Sequence, residues 1–271
     1  MDEIVIREIN DMEGFRALLE LQRVIWGMSY GESTSPYILA VGRHNGGVVL
    51  GAEVNGELIG FCFGFPAPRG DQWLHWSHMT GVIPDYRGQG VGFKLKQAQR
   101  IWALKHGYTV MGWTFDPMQR GNANFNFRQL GTVSKTFIVN HYGEMTDQIN
   151  AGLASDRLEV AWHLNDKRVL DLMNNPPTKT SEDHFEDIAF ILRQNDDGEL
   201  ICAGDTVFNK DICYVEIPYR VNGLKRDNFE LARDWQLELR WAMQQAFEQN
   251  YSVVDFVNQG GRGWYVLQKD K

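Results

Sequence analysis

The sequence predicts an α/β (α+β) protein: a mixed central sheet flanked by helices, followed by a smaller α/β half built from similar elements. Three observations carry this. Short apolar strand patterns alternate with amphipathic helical ones along the 271 residues. Two strand patterns meet at Asn55-Gly56, the dipeptide of a two-residue hairpin turn. A later strand runs straight into the glycine-rich string Arg87-Gly88-Gln89-Gly90-Val91-Gly92, which opens a helix.

Taken in order, residues 4–9 read as a strand. Residues 12–26 read as a helix with Phe15, Leu18, Leu19, Ile25 and Trp26 on one face and Asn10 or Asp11 as cap. The turn-rich stretch 27–47 holds a short helix around 36–41. The hairpin pairs 48–54 with 58–65, and 73–83 forms the strand before the glycine string. The helix after that string places Val91, Leu95, Ala98, Ile101 and Trp102 on its buried stripe and stops at Gly107. A strand at 108–115, a helix at 118–130 and strands at 132–139 and 157–164 follow.

After Asn165 the pattern begins again in reduced form. A short helix covers 166–173, and Asn174-Asn175-Pro176-Pro177 breaks it. Strands are expected at 188–193, 199–203 and 212–219. A long helix covers 227–249, with Asp227 and Glu230 as a near-capping box. Strands at 252–257 and 263–267 end the chain. Gly56-Glu57-Leu58-Ile59 recurs as Gly198-Glu199-Leu200-Ile201, and residues 82–87 are loosely echoed by 216–220. The expected division is therefore a first domain at 1–165 and a degenerate copy at 166–271.

Composition narrows the function classes. The chain has 43% hydrophobic and 23% charged residues, ordinary for a globular protein. Its formal charge of −8 argues against a nucleic-acid partner. An anionic ligand must then be held by local features rather than by whole-protein steering. The three cysteines have no paired spacing, which fits reduced thiols and a cytoplasmic setting. The acidic start MDEIVIREIND lacks the pattern of a secretion signal, and no apolar run approaches a membrane span, so no membrane partner is expected. Scattered histidines and cysteines argue against a metal site.

The glycine string is the strongest chemical signal. Glycines let backbone approach a ligand closely. Amides at a helix N-terminus are unsatisfied and add partial positive charge, so they bind phosphate without lysine. No Gly-Lys-Ser/Thr follows, so this is not a Walker loop, and the glycine spacing does not fit the dinucleotide fingerprint.

The string resembles the RxxGxG motif of the GNAT (GCN5-related) N-acetyltransferase superfamily. The order of elements over about residues 1–165 resembles the GNAT fold too. Ser77-His78-Met79, Trp113-Thr114-Phe115-Asp116-Pro117, Phe125-Asn126 with Leu130-Gly131, and Tyr142-Gly143-Glu144-Met145 are similar to a subgroup of long bacterial GNAT proteins with a C-terminal extension. The resemblance implies an enzyme, a GNAT-type N-acyltransferase. It would move an acetyl or other short acyl group from acetyl-CoA or another acyl-CoA to the amine of a small molecule by direct attack. Some relatives are thought to acylate amino acids from succinyl-CoA, so an N-succinyltransferase is the first alternative. A non-catalytic acyl-CoA-binding sensor or subunit is the second.

Site residues follow from the same resemblance. Arg87, Gly88, Gln89, Gly90, Val91 and Gly92 would cradle the CoA pyrophosphate. An amide near Val82 would meet the oxyanion, and Asn122 would bond pantetheine amides or merely cap a helix. A base must free the acceptor amine of its proton, and histidine titrates in the useful range. In one GNAT branch a histidine sits nine residues before the motif arginine. His78 holds that place here, with Trp76, Thr80 and Val82 expected on its face of the strand and His75 on the other. The tyrosine that commonly protonates the thiolate is replaced by Phe127. Tyr142 from a loop is the substitute candidate, with water as the alternative. Asp116 before Pro117 reads as a turn cap, and Arg120, Arg128 and Arg157 as candidates for a substrate carboxylate. The second half carries Val221-Asn222-Gly223-Leu224-Lys225 where the first has its glycine string, so no CoA is expected there. It would cover the sheet, narrow the acceptor pocket or form a homodimer.

Overall fold

The computed structural model describes residues 3–143, 152–175 and 189–270. The chain divides into two compact units, one built from residues 1–113 and 163–165, the other from 114–145, 152–162 and 166–271.

The first unit carries β1 (Val5–Glu8), β2 (Val48–Val54), β3 (Glu57–Arg69), β4 (Gln72–Val82) and most of β5 (Val110–Phe115), side by side in that order. β1 to β4 are antiparallel neighbours, and β4 and β5 are parallel. The β2–β3 turn is made as the sequence predicts. Asn55 (φ 52°) and Gly56 (φ 82°) both take positive φ, the backbone that matches strand twist in a two-residue hairpin.

Helices cover both faces of this sheet. α1 (Met12–Trp26) starts where Asp11 accepts the Gly14 amide at 2.8 Å and ends at Gly27, in the left-handed region. α2 (Pro36–His44) opens on a Ser35 cap and a first-turn proline. Together they bury Phe15, Leu18, Leu21, Ile25 and Leu39 against Val49, Phe61 and Phe63. Each such side chain contributes about 1.5–3 kcal/mol. α3 (Val91–Lys105) covers the opposite face, with Val91 and Leu95 packed among Leu50, Ile59 and Cys62.

The second unit holds β6 (Val133–Ile138), β7 (Arg157–His163), β8 (Phe190–Gln194), β9 (Leu200–Cys202), β10 (Ile212–Ile217), β11 (Tyr251–Gln259) and β12 (Arg262–Lys269). Their spatial order is β7-β6-β11-β12-β10-β8-β9. The predicted helix at 118–130 is α4 (Arg120–Ala123) followed by a π-helical turn at Asn124–Gln129. α5 (Lys167–Asn174) follows β7. Residues 221–225, the counterpart of the glycine string, lie in a helix, α6 (Val221–Asp227). The long helix α7 (Phe229–Glu248) therefore starts two residues later than the sequence indicates, with Asn228 as its cap. It buries Ala232, Trp235, Leu239, Ala242, Met243 and Ala246. Arg240 grips the buried Asp156 through two bonds of 2.9 and 3.1 Å. β10 lies antiparallel to β12 and parallel to β8, whereas β4 lies antiparallel to β3 and parallel to β5.

Candidate active site

The glycine string forms the N-terminus of α3. A single 3₁₀ turn at Pro84–Tyr86 leads from β4 into it. Gly88 (φ 76°) and Gly90 (φ 84°) both take left-handed backbone, which explains glycine at these two positions. No side chain caps α3, and its first turn carries no acidic residue. Its leading amides, from Val91 and Gly92 onward, are thus left for a ligand. A Cβ built on Gly90 meets no atom within 4 Å, so the loop faces open space. Gln89 donates to the Asp85 carbonyl at 2.7 Å. The Arg87 guanidinium braces the loop from behind, donating to the Val82 carbonyl at 3.0 Å and to the Ile25 carbonyl at 2.8 Å. An anion here would be held by backbone amides and the helix dipole.

β4 leads from this loop to the other half of the site. Among the described residues, β4 and β5 pair only at His75↔Met111 and Trp76↔Gly112. Beyond that point the β4 edge facing β5, from Ser77 to Val82, has no strand partner among the described residues. On the β3 side the register slips: Phe63 faces Met79 while Gly64 faces Ser77. His78 is the extra residue of this β-bulge. The bulge overturns the expected simple alternation. His78 and Met79 both fall on the α1–α2 side, whereas Thr80, opposite Cys62, and Val82 turn toward α3.

The bulge presents the His78 ring to solvent while Phe63 and Phe65 hold it, with centroids at 6.1 and 5.5 Å. The protein around the ring disfavours imidazolium and lowers the pKa below the usual histidine value. The loop between α1 and α2 reaches β4 next to it, where Thr34 Oγ1 donates to Met79 Sδ at 3.3 Å. Gln22 pins that loop, exchanging bonds of 2.8 and 3.1 Å with the Thr34 backbone.

On the α3 face, at the level where the strands part, lies a buried polar cluster that sequence reasoning missed. Lys96 Nζ donates to Ser77 Oγ at 2.6 Å and lies 3.7 Å from the Trp113 ring centroid. Gln99 Oε1 accepts from Ser77 at 2.9 Å and from Lys96 at 3.5 Å. The Gln99 amide nitrogen lies 3.2 Å from His75 Nε2. With the amide donating, His75 carries its proton on Nδ1, which has no partner among the described residues. Burial, with the nearby Lys96 and His106, pushes His75 down to about 3, so it stays neutral. Lys96 is 2% exposed, and burial pushes its ammonium down to about 7. Taking an ammonium out of water costs several kcal/mol. The sequence hint was the i, i+3, i+4 spacing of Lys96, Gln99 and Arg100, one polar side of the helix.

Gly64 makes room for this cluster. A Cβ there would press on His75 Nε2, on the Trp76 carbonyl oxygen at 2.7 Å and on Gln99 Nε2 at 2.8 Å. Gly64→Ala is expected to destabilise the fold by roughly 1–3 kcal/mol, the usual cost of overpacking. A thermal melt showing an unchanged midpoint would mean the sheet adjusts freely at this point.

Other candidates from the sequence lie in the second unit. Tyr142 is half-exposed, packed edge-on to His141, with the Arg157 guanidinium 5.2 Å from its ring. Asn122 lies exposed in α4. Phe127 is wholly buried against Phe115 and Tyr265. Asp116 accepts the Met118 amide at 2.9 Å, the geometry of a turn cap, and burial raises its pKa. Arg120 is committed to Asn258, at 2.9 and 2.6 Å, and Arg128 to Asp255 at 3.0 Å.

The first unit thus sets an uncapped, glycine-lined helix N-terminus beside two parting parallel strands, with a histidine at the bulge of one of them. Residues 15–131 match the model of the acetyltransferase (GNAT) family and include every part of that site in the first unit. The chain thus carries a GNAT acetyltransferase domain at 15–131. Comparison with curated proteins returned no match. Among solved structures, the ribosomal-protein-S18-alanine N-acetyltransferase from Escherichia coli is 16% identical at a TM-score of 0.47, covering 60% of this chain and 96% of its own. An acetyltransferase of the GNAT family from Streptococcus pneumoniae is 15% identical at 0.47, covering 59% and 98%. The NatC complex bound to Gag peptide and CoA is 16% identical at 0.47, covering 59% and 98%. These likenesses are distant, and the family match is what places the domain.

Proposed function

We propose that the protein is an acyl-CoA-dependent N-acyltransferase that moves an acetyl or other short acyl group from CoA to the amine of a small molecule. The observation that carries this is the uncapped, glycine-lined start of α3 at the end of a β4 edge that has no strand partner. Amides there hold the CoA pyrophosphate, with Gly88 and Gly90 letting it approach. The pantetheine arm then lies along β4 as an extended strand would. The thioester comes to rest near the bulge, and a backbone amide of β4 meets the oxyanion. On the α1–α2 side His78 takes the proton from the attacking amine. Its lowered pKa keeps the imidazole neutral, and so competent as a base, at neutral pH. The reaction is direct transfer.

Phe127 cannot donate a proton, so the role the resemblance gives to a tyrosine passes to another group, and Tyr142 and water are the candidates the sequence itself offers. Three free cysteines and the acidic composition fit a cytoplasmic enzyme. The deciding experiment is a screen of acyl-CoAs against amines, read as free thiol released. Thiol release that requires both partners, with one CoA bound per chain, is the expected result. A preference for succinyl-CoA with amino acids would make it an N-succinyltransferase. Tight CoA binding without release for any amine would make it a sensor or subunit.

A further inference from the structure

We infer that Lys96 is the charge that receives the departing CoA thiolate, on the face of the sheet opposite His78. The inference rests on the acyltransferase reading above. The unpaired edge of β4 from Ser77 to Val82 spans about 17 Å at ~3.3 Å per residue. A pantetheine arm that enters at the Val82 end, beside the start of α3, brings its sulfur to the Ser77 end, where β4 and β5 close on one another. At that point Ser77 turns toward α3 and bonds Lys96 Nζ, while the neighbouring His78 faces the α1–α2 side. The amine then approaches from one face and the sulfur leaves toward the other.

The surroundings of Lys96 fit an anion that comes and goes. Its neighbours are the Ser77 hydroxyl, the Gln99 carbonyl oxygen and the Trp113 ring. Cys62 of β3 and His75 of β4 are the titratable groups that act on it or that it acts on, with His106, the residue after α3, beyond His75. Burial keeps the Cys62 thiol protonated, pushed up to about 12, and His75 is neutral. No carboxylate is among these groups, in a chain with 35 acidic residues and a charge of −8. A buried lysine pushed down to about 7, with no carboxylate beside it among the described residues, holds its ammonium more firmly when negative charge develops next to it.

The step balances. The amine nitrogen bonds to the thioester carbon, and its proton passes to His78. The carbon–sulfur bond breaks with its electron pair on sulfur, and the thiolate pairs with the Lys96 ammonium and takes a proton from it. His78 then gives up its proton to solvent and Lys96 regains one, leaving amide and thiol.

The test is the ionisation of CoA bound to the full chain, followed by thiolate absorbance as a difference against desulfo-CoA. The bound thiol is expected to ionise at least tenfold more readily than that of free CoA. In Lys96→Met this gain is expected to vanish, with kcat reduced and the KM for acyl-CoA little changed. A bound thiol in the wild type no more acidic than the free one overturns the inference, as does an equal shift in Lys96→Met. If that variant does not fold, the wild-type titration still decides. Failure of the intact chain to bind CoA at all would instead bring down the acyltransferase reading itself.

Discussion

Gly90→Glu is expected to weaken CoA binding by about 100-fold or more while the chain stays folded. The position is the cap of α3, with open space around its Cβ, so the new carboxylate meets no steric barrier. It would stand where the pyrophosphate belongs. Two unit charges 4 Å apart near a protein surface interact by about 4 kcal/mol, and every 1.4 kcal/mol is a factor of ten. Backbone strain is the competing effect. Gly90 sits at φ 84°, and left-handed backbone costs most residues roughly 1–2 kcal/mol. Gly90→Asn separates the two, because asparagine tolerates this conformation and carries no charge. Calorimetric titration should find CoA affinity close to wild type in Gly90→Asn and lost in Gly90→Glu. Equal affinity in all three proteins would remove the pyrophosphate from this loop.

The parts of the fold that were legible in the sequence are those that local chemistry dictates. Asn55-Gly56 turns its hairpin within two residues, and the choice of Asn10 or Asp11 as the cap of α1 needed only one turn of chain to settle on Asp11. The glycine string is equally local. Tertiary choices were not legible. The bulge at His78 is a one-residue slip between β3 and β4 that no residue type announces, and it reverses the face of Thr80 and Val82. The Lys96 cluster stayed hidden because a lysine on a helix is ordinarily solvated, and its burial depends on Ser77 and Trp113 from two other strands. α6 stands where the second half has only its counterpart of the glycine string, and it is closed by contacts such as the Leu224 amide to the Arg220 carbonyl at 2.9 Å. Similar local strings in the two halves told nothing of pairing: β10 finds its antiparallel neighbour in β12, later in the chain, while β4 finds it in β3, earlier.

His78→Ala is expected to lower turnover by about 100-fold or more, the usual contribution of a positioned general base. CoA affinity should hardly change, because the residue lies on the sheet face away from α3 and at the far end of the free β4 edge from the loop. The pH profile makes the claim specific. A base works in its neutral form, so kcat/KM should rise with pH until His78 has lost its proton. The protein packed against one side of the ring lowers its pKa, which puts this acidic limb below the ordinary histidine value of about 6.5 and leaves the base available at neutral pH. His75 cannot supply the same limb, since it is pushed down to about 3 and sealed in the sheet. In His78→Ala the limb should disappear along with the rate, while any rise at higher pH that belongs to the acceptor amine should persist. His78→Gln, which keeps bulk against Phe63 and Phe65 but cannot accept a proton near neutral pH, should behave like alanine in rate while matching the wild type in its thermal midpoint. Near-normal turnover with an unchanged profile in both variants would hand the proton to water or to another residue.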